Sequence, residues 1–115
     1  MLKLEINKIY CGDCIKLLQK CNPIRPKLIF ADPPFNIGYD YETYQDNLEY
    51  DNFVSWTYDW MEACYNVLSD DGSFYIAIGD EYAAEVKIAA RKLGLETRNW
   101  IIWTYGFGQN TTRKL

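Results

Sequence analysis

Two short strings carry the residue types that could do chemistry. The first is Asp32-Pro33-Pro34-Phe35-Asn36, which follows the apolar run Lys27-Leu28-Ile29-Phe30-Ala31. It places a carboxylate at the carboxyl end of a strand, where open parallel sheets bind their ligands. Pro33 restricts Asp32 and Pro34 restricts Pro33, so the turn is stiff. A stiff turn pre-organises a carboxylate, neighbouring carbonyls and the Phe35 ring. Carboxylate and carbonyl are acceptors, a planar –NH2 group offers two donors, and a ring can stack on the heterocycle bearing it. Acceptors pulling on those protons free the nitrogen lone pair for attack, because charge developing on nitrogen meets groups fixed in advance. The second string, Cys11-Gly12-Asp13-Cys14, has the spacing of a metal or redox pair. A structural zinc site needs four ligands. Cys21 and Cys64 are not paired in that way and the chain has no His, so the four cysteines read as buried thiols and no metal is expected.

Those strings must be positioned by regular elements, and the hydrophobic pattern supplies them. Lys3 to Cys11 predicts a first strand and Cys14 to Cys21 a short helix, broken by Asn22-Pro23 and Arg25-Pro26. Lys27 to Ala31 predicts a strand buried on both faces. Phe53, Trp56, Trp60, Cys64 and Val67 recur at steps of three and four, which predicts one helical face directed at a core, with Asp51 or Asn52 as cap. Asp70-Asp71-Gly72 is a turn, Ser73 to Ile78 a strand, Tyr82 to Leu93 a helix stopped by Gly94, and Glu96 to Thr104 a last strand. Strands alternating with helices imply an α/β fold with a mostly parallel sheet and flanking helices.

Composition sets the outer bounds. The chain has 115 residues, 49% of them hydrophobic, which suits one domain with a real core. No apolar run approaches the ~20 residues of a membrane span, and no signal-peptide pattern opens the chain, so no membrane partner and a cytoplasmic location are expected. The formal net charge of −4 conceals a segregation. Residues 1–27 sum to +4, residues 28–86 to −13 with no Lys or Arg, and residues 87–115 to +5. The acidic middle is in the main a solvated face, and the basic ends could meet a polyanion.

Asp32-Pro33-Pro34-Phe35 followed by Asn36 resembles the catalytic motif of amino-group DNA methyltransferases, the N6-adenine and N4-cytosine enzymes. An Asp in first place is similar to the adenine enzymes, whereas the cytosine enzymes more often have Ser. The motif has only one strand and one helix before it, and residues 1–31 hold no Gly-x-Gly. The resemblance is therefore to the permuted (β-type) group, in which the catalytic half comes first. Cys11-Gly12-Asp13-Cys14-Ile15 resembles that group's N-terminal Gly-Asp segment, and Asn99-Trp100-Ile101-Ile102-Trp103 the strand before its target-recognition region. Thr104 departs from the Lys that relatives often carry there.

The resemblance implies a partial Rossmann-like methyltransferase fold. Residues 1–115 would be the N-terminal catalytic part, without the target-recognition region or the glycine-rich cofactor loop. It implies S-adenosylmethionine as methyl donor, contacted by Asp13, Cys14 and Asp32, and double-stranded DNA as substrate. A base flipped from the stack would meet Phe35 and Asn36, with Asp32 and the Pro33 carbonyl on its amine and Pro34 stiffening the turn. A second copy, or the rest of the methyltransferase domain, is the implied protein partner. An RNA or protein amino-group methyltransferase could share the turn, and a non-catalytic nucleic-acid-binding fragment is the other alternative. The Tyr-rich loop from Pro33 to Tyr50 reads either as a lid over cofactor and base or as a surface loop without fixed structure. Gly106-Phe107-Gly108 lacks the third glycine of a dinucleotide loop, and Arg113 and Lys114 could reach phosphate.

Overall fold

The computed structural model describes residues 3–106. Its elements are α1 (Cys14–Leu18), β1 (Leu28–Ala31), α2 (Tyr50–Val67), β2 (Ser73–Ile76) and α3 (Ala83–Leu93). β1 and β2 pair in parallel, with Leu28 opposite Ser73 and Ala31 opposite Ile76. A parallel pair needs a crossover, and α2 provides it. The register is pinned beyond both ends: Ser73 donates to the Lys27 carbonyl at 2.8 Å and Ala77 to the Ala31 carbonyl at 2.9 Å. Before β2, the Arg25 guanidinium donates to the Leu68 carbonyl at 2.8 Å and Ser69 N–H to the Pro26 carbonyl at 2.9 Å.

The core lies between this pair of strands and the helices. Trp60, Met61 and Cys64 of α2 meet Val86 and Ala89 of α3. Ile15 and Leu18 of α1 pack against them, as do Ile29, Ala31, Phe74 and Ile76 from the sheet. Phe53 and Met61 are fully buried, each worth about 1.5–3 kcal/mol relative to exposure. The Phe53–Trp60–Cys64 stripe therefore does what its spacing predicts. α3 ends where Gly94 turns left-handed (φ 92°), and its N–H bonds the Ala90 and Arg91 carbonyls.

Several expectations fail at the edges. Lys3 to Cys11 forms no strand: Asn7 sits in a left-handed conformation (φ 61°) that breaks an extended run. Glu96 to Thr104 forms none either, and Trp100, Ile101, Ile102 and Trp103 stand exposed. A strand persists only through a ladder of bonds to a neighbouring strand, and among the described residues neither segment pairs with one; the first has a backbone bond from Leu4 N–H to the Lys20 carbonyl at 3.2 Å, which is not a ladder. β1 is covered on one face, not both. Ile29 and Ala31 point inward, while Leu28 (62% exposed) and Phe30 (68%) face outward beside Tyr75 of β2. α1 stops at Leu18, short of Cys21. α2 begins at Tyr50 after Glu49, earlier than either proposed cap and without a side-chain cap. Among the described residues, no helix is long and apolar enough to cross a membrane. Phe107, Gly108, Arg113 and Lys114 lie outside the described residues.

Candidate active site

Asp32 follows the last residue of β1, as the sequence predicts, and is exposed there. Pro33, Pro34, Phe35 and Asn36 are each partly buried. Neither proline has an N–H, so between Asp32 and Phe35 the turn offers acceptors only. Phe35 lies against the segment that follows the neighbouring strand: a Cβ built on Gly79, beyond the last residue of β2, would meet its Cδ2 at 3.8 Å. One turn thus leads from the carboxyl end of β1 to the segment that leaves β2, with the carboxylate following β1 and the ring beside Gly79.

Asn36 is the pivot. It holds a left-handed backbone (φ 60°), which Asn tolerates better than most residues. Its Oδ1 accepts the Leu48 N–H at 2.6 Å. Its Nδ2 donates to the Leu48 carbonyl at 2.9 Å and to the Tyr82 hydroxyl at 3.0 Å. Tyr82 precedes α3 and packs on Phe53 of α2, with ring centroids 4.4 Å apart.

Sequence reasoning missed Asp46, the buried carboxylate of the site (3% exposed). Its Oδ1 accepts the Asn36 N–H at 2.8 Å, and its Oδ2 accepts those of Ile37 at 3.1 Å and Tyr39 at 2.9 Å. Its own carbonyl accepts the Gly38 N–H at 2.7 Å. Asp40 and Gln45 add an antiparallel bridge. Only a turn-forming Asn36-Ile37-Gly38 hinted at this, and nothing in the sequence separates Asp46 from the other twelve acids of the acidic stretch.

The tyrosine-rich loop has fixed structure, contrary to its reading as an unstructured surface segment. Rings run from Tyr39 to Tyr41 (4.8 Å), Tyr44 (6.0 Å), Trp56 (5.6 Å) and Trp60 (6.4 Å), from exposed surface into the core. Partial burial, then the Asp46 and Tyr39 groups and the Asp32 carboxylate, push the Tyr41 phenol upward in pKa.

Asp13 and Cys14 sit on a different element. Asp13 caps α1, its Oδ1 accepting the Ile15 N–H at 3.0 Å, and Cys14 is the first helical residue. Burial and then Asp13 raise the Cys14 thiol. Cys64, buried on α2, is pushed up to about 11 by burial and then by the Cys14 group. Contrary to expectation, Cys11 and Cys14 are exposed, because they lie before and at the first residue of α1, where the expected first strand does not form to cover them; Cys21 and Cys64 are buried. A cleft of about 290 Å³ between α1 and α2, lined by Ile15, Leu18, Asp59 and Glu62 among others, includes none of the motif residues.

Comparison with known proteins bears on this geometry. The family model described as DNA methylase, for N6 and N4 enzymes, matches residues 27–114. The type II methyltransferase M.HpaI of Haemophilus parainfluenzae is 36% identical over 107 residues, covering 92% of this chain and 34% of that protein. The type II methyltransferase M.BamHI of Bacillus amyloliquefaciens is 34% identical, covering 90% and 25%. The DNA adenine methyltransferase YhdJ of Escherichia coli is 33% identical, covering 88% and 34%. The chain spans about a third or less of the length of these three relatives. A family match over most of the chain, with the Asp32 turn inside it at the end of a parallel strand, identifies this protein as a member of the DNA methylase family of N6 and N4 methyltransferases.

Proposed function

We propose that this chain is the N-terminal catalytic part of a DNA methyltransferase that methylates the N6 amine of adenine in double-stranded DNA, as in restriction–modification. Its β1–α2–β2 unit would belong to a partial Rossmann-like fold, and the order of its motifs to the permuted group. The observation that carries the reading is the turn itself. Asp32 stands exposed at the end of β1, two prolines leave only acceptors beside it, and Phe35 lies beside Gly79 in the segment that leaves β2. An adenine base seated there would lay its ring on Phe35 and its amine between the Asp32 carboxylate and the Pro33 carbonyl. Pro34 keeps the turn rigid, and Asn36 borders the base through the shape it gives the turn. Asp as the first motif residue favours adenine, in line with the adenine methyltransferase among the relatives.

The residues fit S-adenosylmethionine as donor. Its charge is cationic at sulfur, and Asp32 is an exposed carboxylate, while Asp13 uses one carboxylate oxygen to cap α1. Asp13, Cys14 and Asp32 would hold it, and when bound it supplies the methyl group. Asp32 and Pro33 polarise the neutral amine, which sheds its proton after transfer, so no strong general base is required.

The test is Asp32→Ala in the enzyme that carries this chain. Turnover should vanish, while calorimetry should still detect S-adenosylmethionine binding, weakened by loss of the Asp32 carboxylate and retained through Asp13 and Cys14. Full activity of that variant overturns the assignment. Nucleoside analysis of methylated DNA should show N6-methyladenine, and N4-methylcytosine instead would overturn the choice of base.

A further inference from the structure

We infer that Asp46 and Asn36 form a positioning clasp, which fixes residues 36–48 as a rigid wall of the site rather than a lid that closes over it. The inference rests on the proposed reading of Asp32 and Phe35 as the amine-binding groups. Three observations carry it. First, Asp46 is buried, yet its side-chain oxygens accept three backbone N–H groups, those of Asn36, Ile37 and Tyr39, from the four-residue stretch just after Phe35. A buried carboxylate satisfied by backbone donors is a costly group that stays only because the surrounding chain is built around it. Second, Asn36 makes three side-chain bonds, to both backbone groups of Leu48 and to Tyr82. Together these bonds close the loop on itself and tie it to the start of α3. Third, Tyr44 and Trp56 anchor the loop's middle to α2, with ring centroids 5.6 Å apart.

The direction of these bonds matters. None of them touches Asp32 or the Phe35 ring. They hold the segment immediately downstream, where the stiffness that the two prolines give the Asp32–Phe35 turn ends. Asp46 and Asn36 are therefore positioning residues that act through Phe35 and Asp32. A site whose reacting groups slip by about 1 Å loses on the order of 100-fold in rate.

Two variants probe the clasp from opposite ends. Asp46→Asn keeps the size of the side chain but turns an –NH2 toward backbone donors. Tyr82→Phe removes one hydroxyl and leaves the ring on Phe53. The first readout is amide hydrogen exchange on the chain itself, which is independent of activity. Asp46→Asn should expose the Asn36, Ile37 and Tyr39 amides while those of α2 and α3 keep their protection. The second is steady-state kinetics in the enzyme that carries the chain. Asp46→Asn should lower kcat by about 10- to 100-fold with the KM for S-adenosylmethionine within twofold, and Tyr82→Phe should lower kcat by a few-fold. Unchanged exchange at residues 36–39, unchanged kcat, or loss of protection throughout α2 and α3 each overturns the clasp as a positioning device. A rise in protection of residues 36–48 in wild type on adding a cofactor analogue restores the lid and overturns the wall. If wild type transfers no methyl group, the proposed function fails, while the exchange result still decides the clasp.

Discussion

Asn36 permits a prediction in which two energetic terms separate. Asn36→Gly removes three side-chain hydrogen bonds, of 2.6, 2.9 and 3.0 Å, and retains a residue free to adopt φ 60°. Each bond contributes about 0.5–1.5 kcal/mol net. The partners are only partly buried and water can replace some of what is lost, so the loss should be about 2 kcal/mol, at the low end of the summed range. Asn36→Ala loses the same bonds and also bears a left-handed backbone, which adds about 1 kcal/mol once the greater freedom of an unfolded glycine is set against it. The order of stability should be Asn, then Gly, then Ala, with steps of about 2 and about 1 kcal/mol. Urea unfolding followed by tryptophan fluorescence reads both steps, since Trp56 and Trp60 lie next to the loop. A glycine variant as stable as wild type would show that the three bonds contribute nothing. An alanine variant as stable as glycine would refute the left-handed conformation.

Two further outcomes test the helical layer. The Cys64 thiol has a folded pKa of about 11 against an ordinary 9.0. Below pH 9 it is protonated in both states. Between pH 9 and 11 the unfolded chain loses the proton first, so stability should fall as pH rises, by up to about 3 kcal/mol from this group. All other groups are common to both proteins, so the stability difference between wild type and Cys64→Ala should narrow across that window, and a constant difference refutes the burial of Cys64. Thiol labelling resolved by mass spectrometry should find Cys11 and Cys14 reactive in the folded chain, with Cys14 slowed at pH 8 by its raised pKa, and Cys21 and Cys64 protected until unfolding. Labelling of Cys64 at the rate of Cys11 would contradict the packing of α2.

What could be read in advance depended on whether the deciding interaction was local. Pro26 and Pro33 bracket β1, the Phe53–Trp60–Cys64 spacing defines the buried face of α2, and Gly94 ends α3. Each is a property of a few neighbouring residues. Asp32 was legible for the same reason, since a strand followed by two prolines marks its own end. Lys3–Cys11 and Glu96–Thr104 have strand-like composition, but a ladder requires a second chain segment, which composition does not reveal. Asp46 was invisible because its role is set by three backbone donors. Loop 36–48 showed no periodicity because side chains bonding to backbone, not a repeating ladder, hold it together.

The parallel pairing of Leu28 with Ser73 has a consequence for how the protein is made. Unlike a hairpin, this pair cannot nucleate from its own turn. The chain must first close a long loop, an entropic cost that only the packing of α2 against both strands can offset. The packing of Trp60, Met61 and Cys64 against Ile29, Ala31, Phe74 and Ile76 must therefore accompany the pairing of β1 with β2. The Asp32 turn follows β1 and Phe35 sits beside the segment that leaves β2, so their alignment depends on that pairing. A core defect in α2, remote from the chemistry, would delay maturation of the site before it altered the finished site at all.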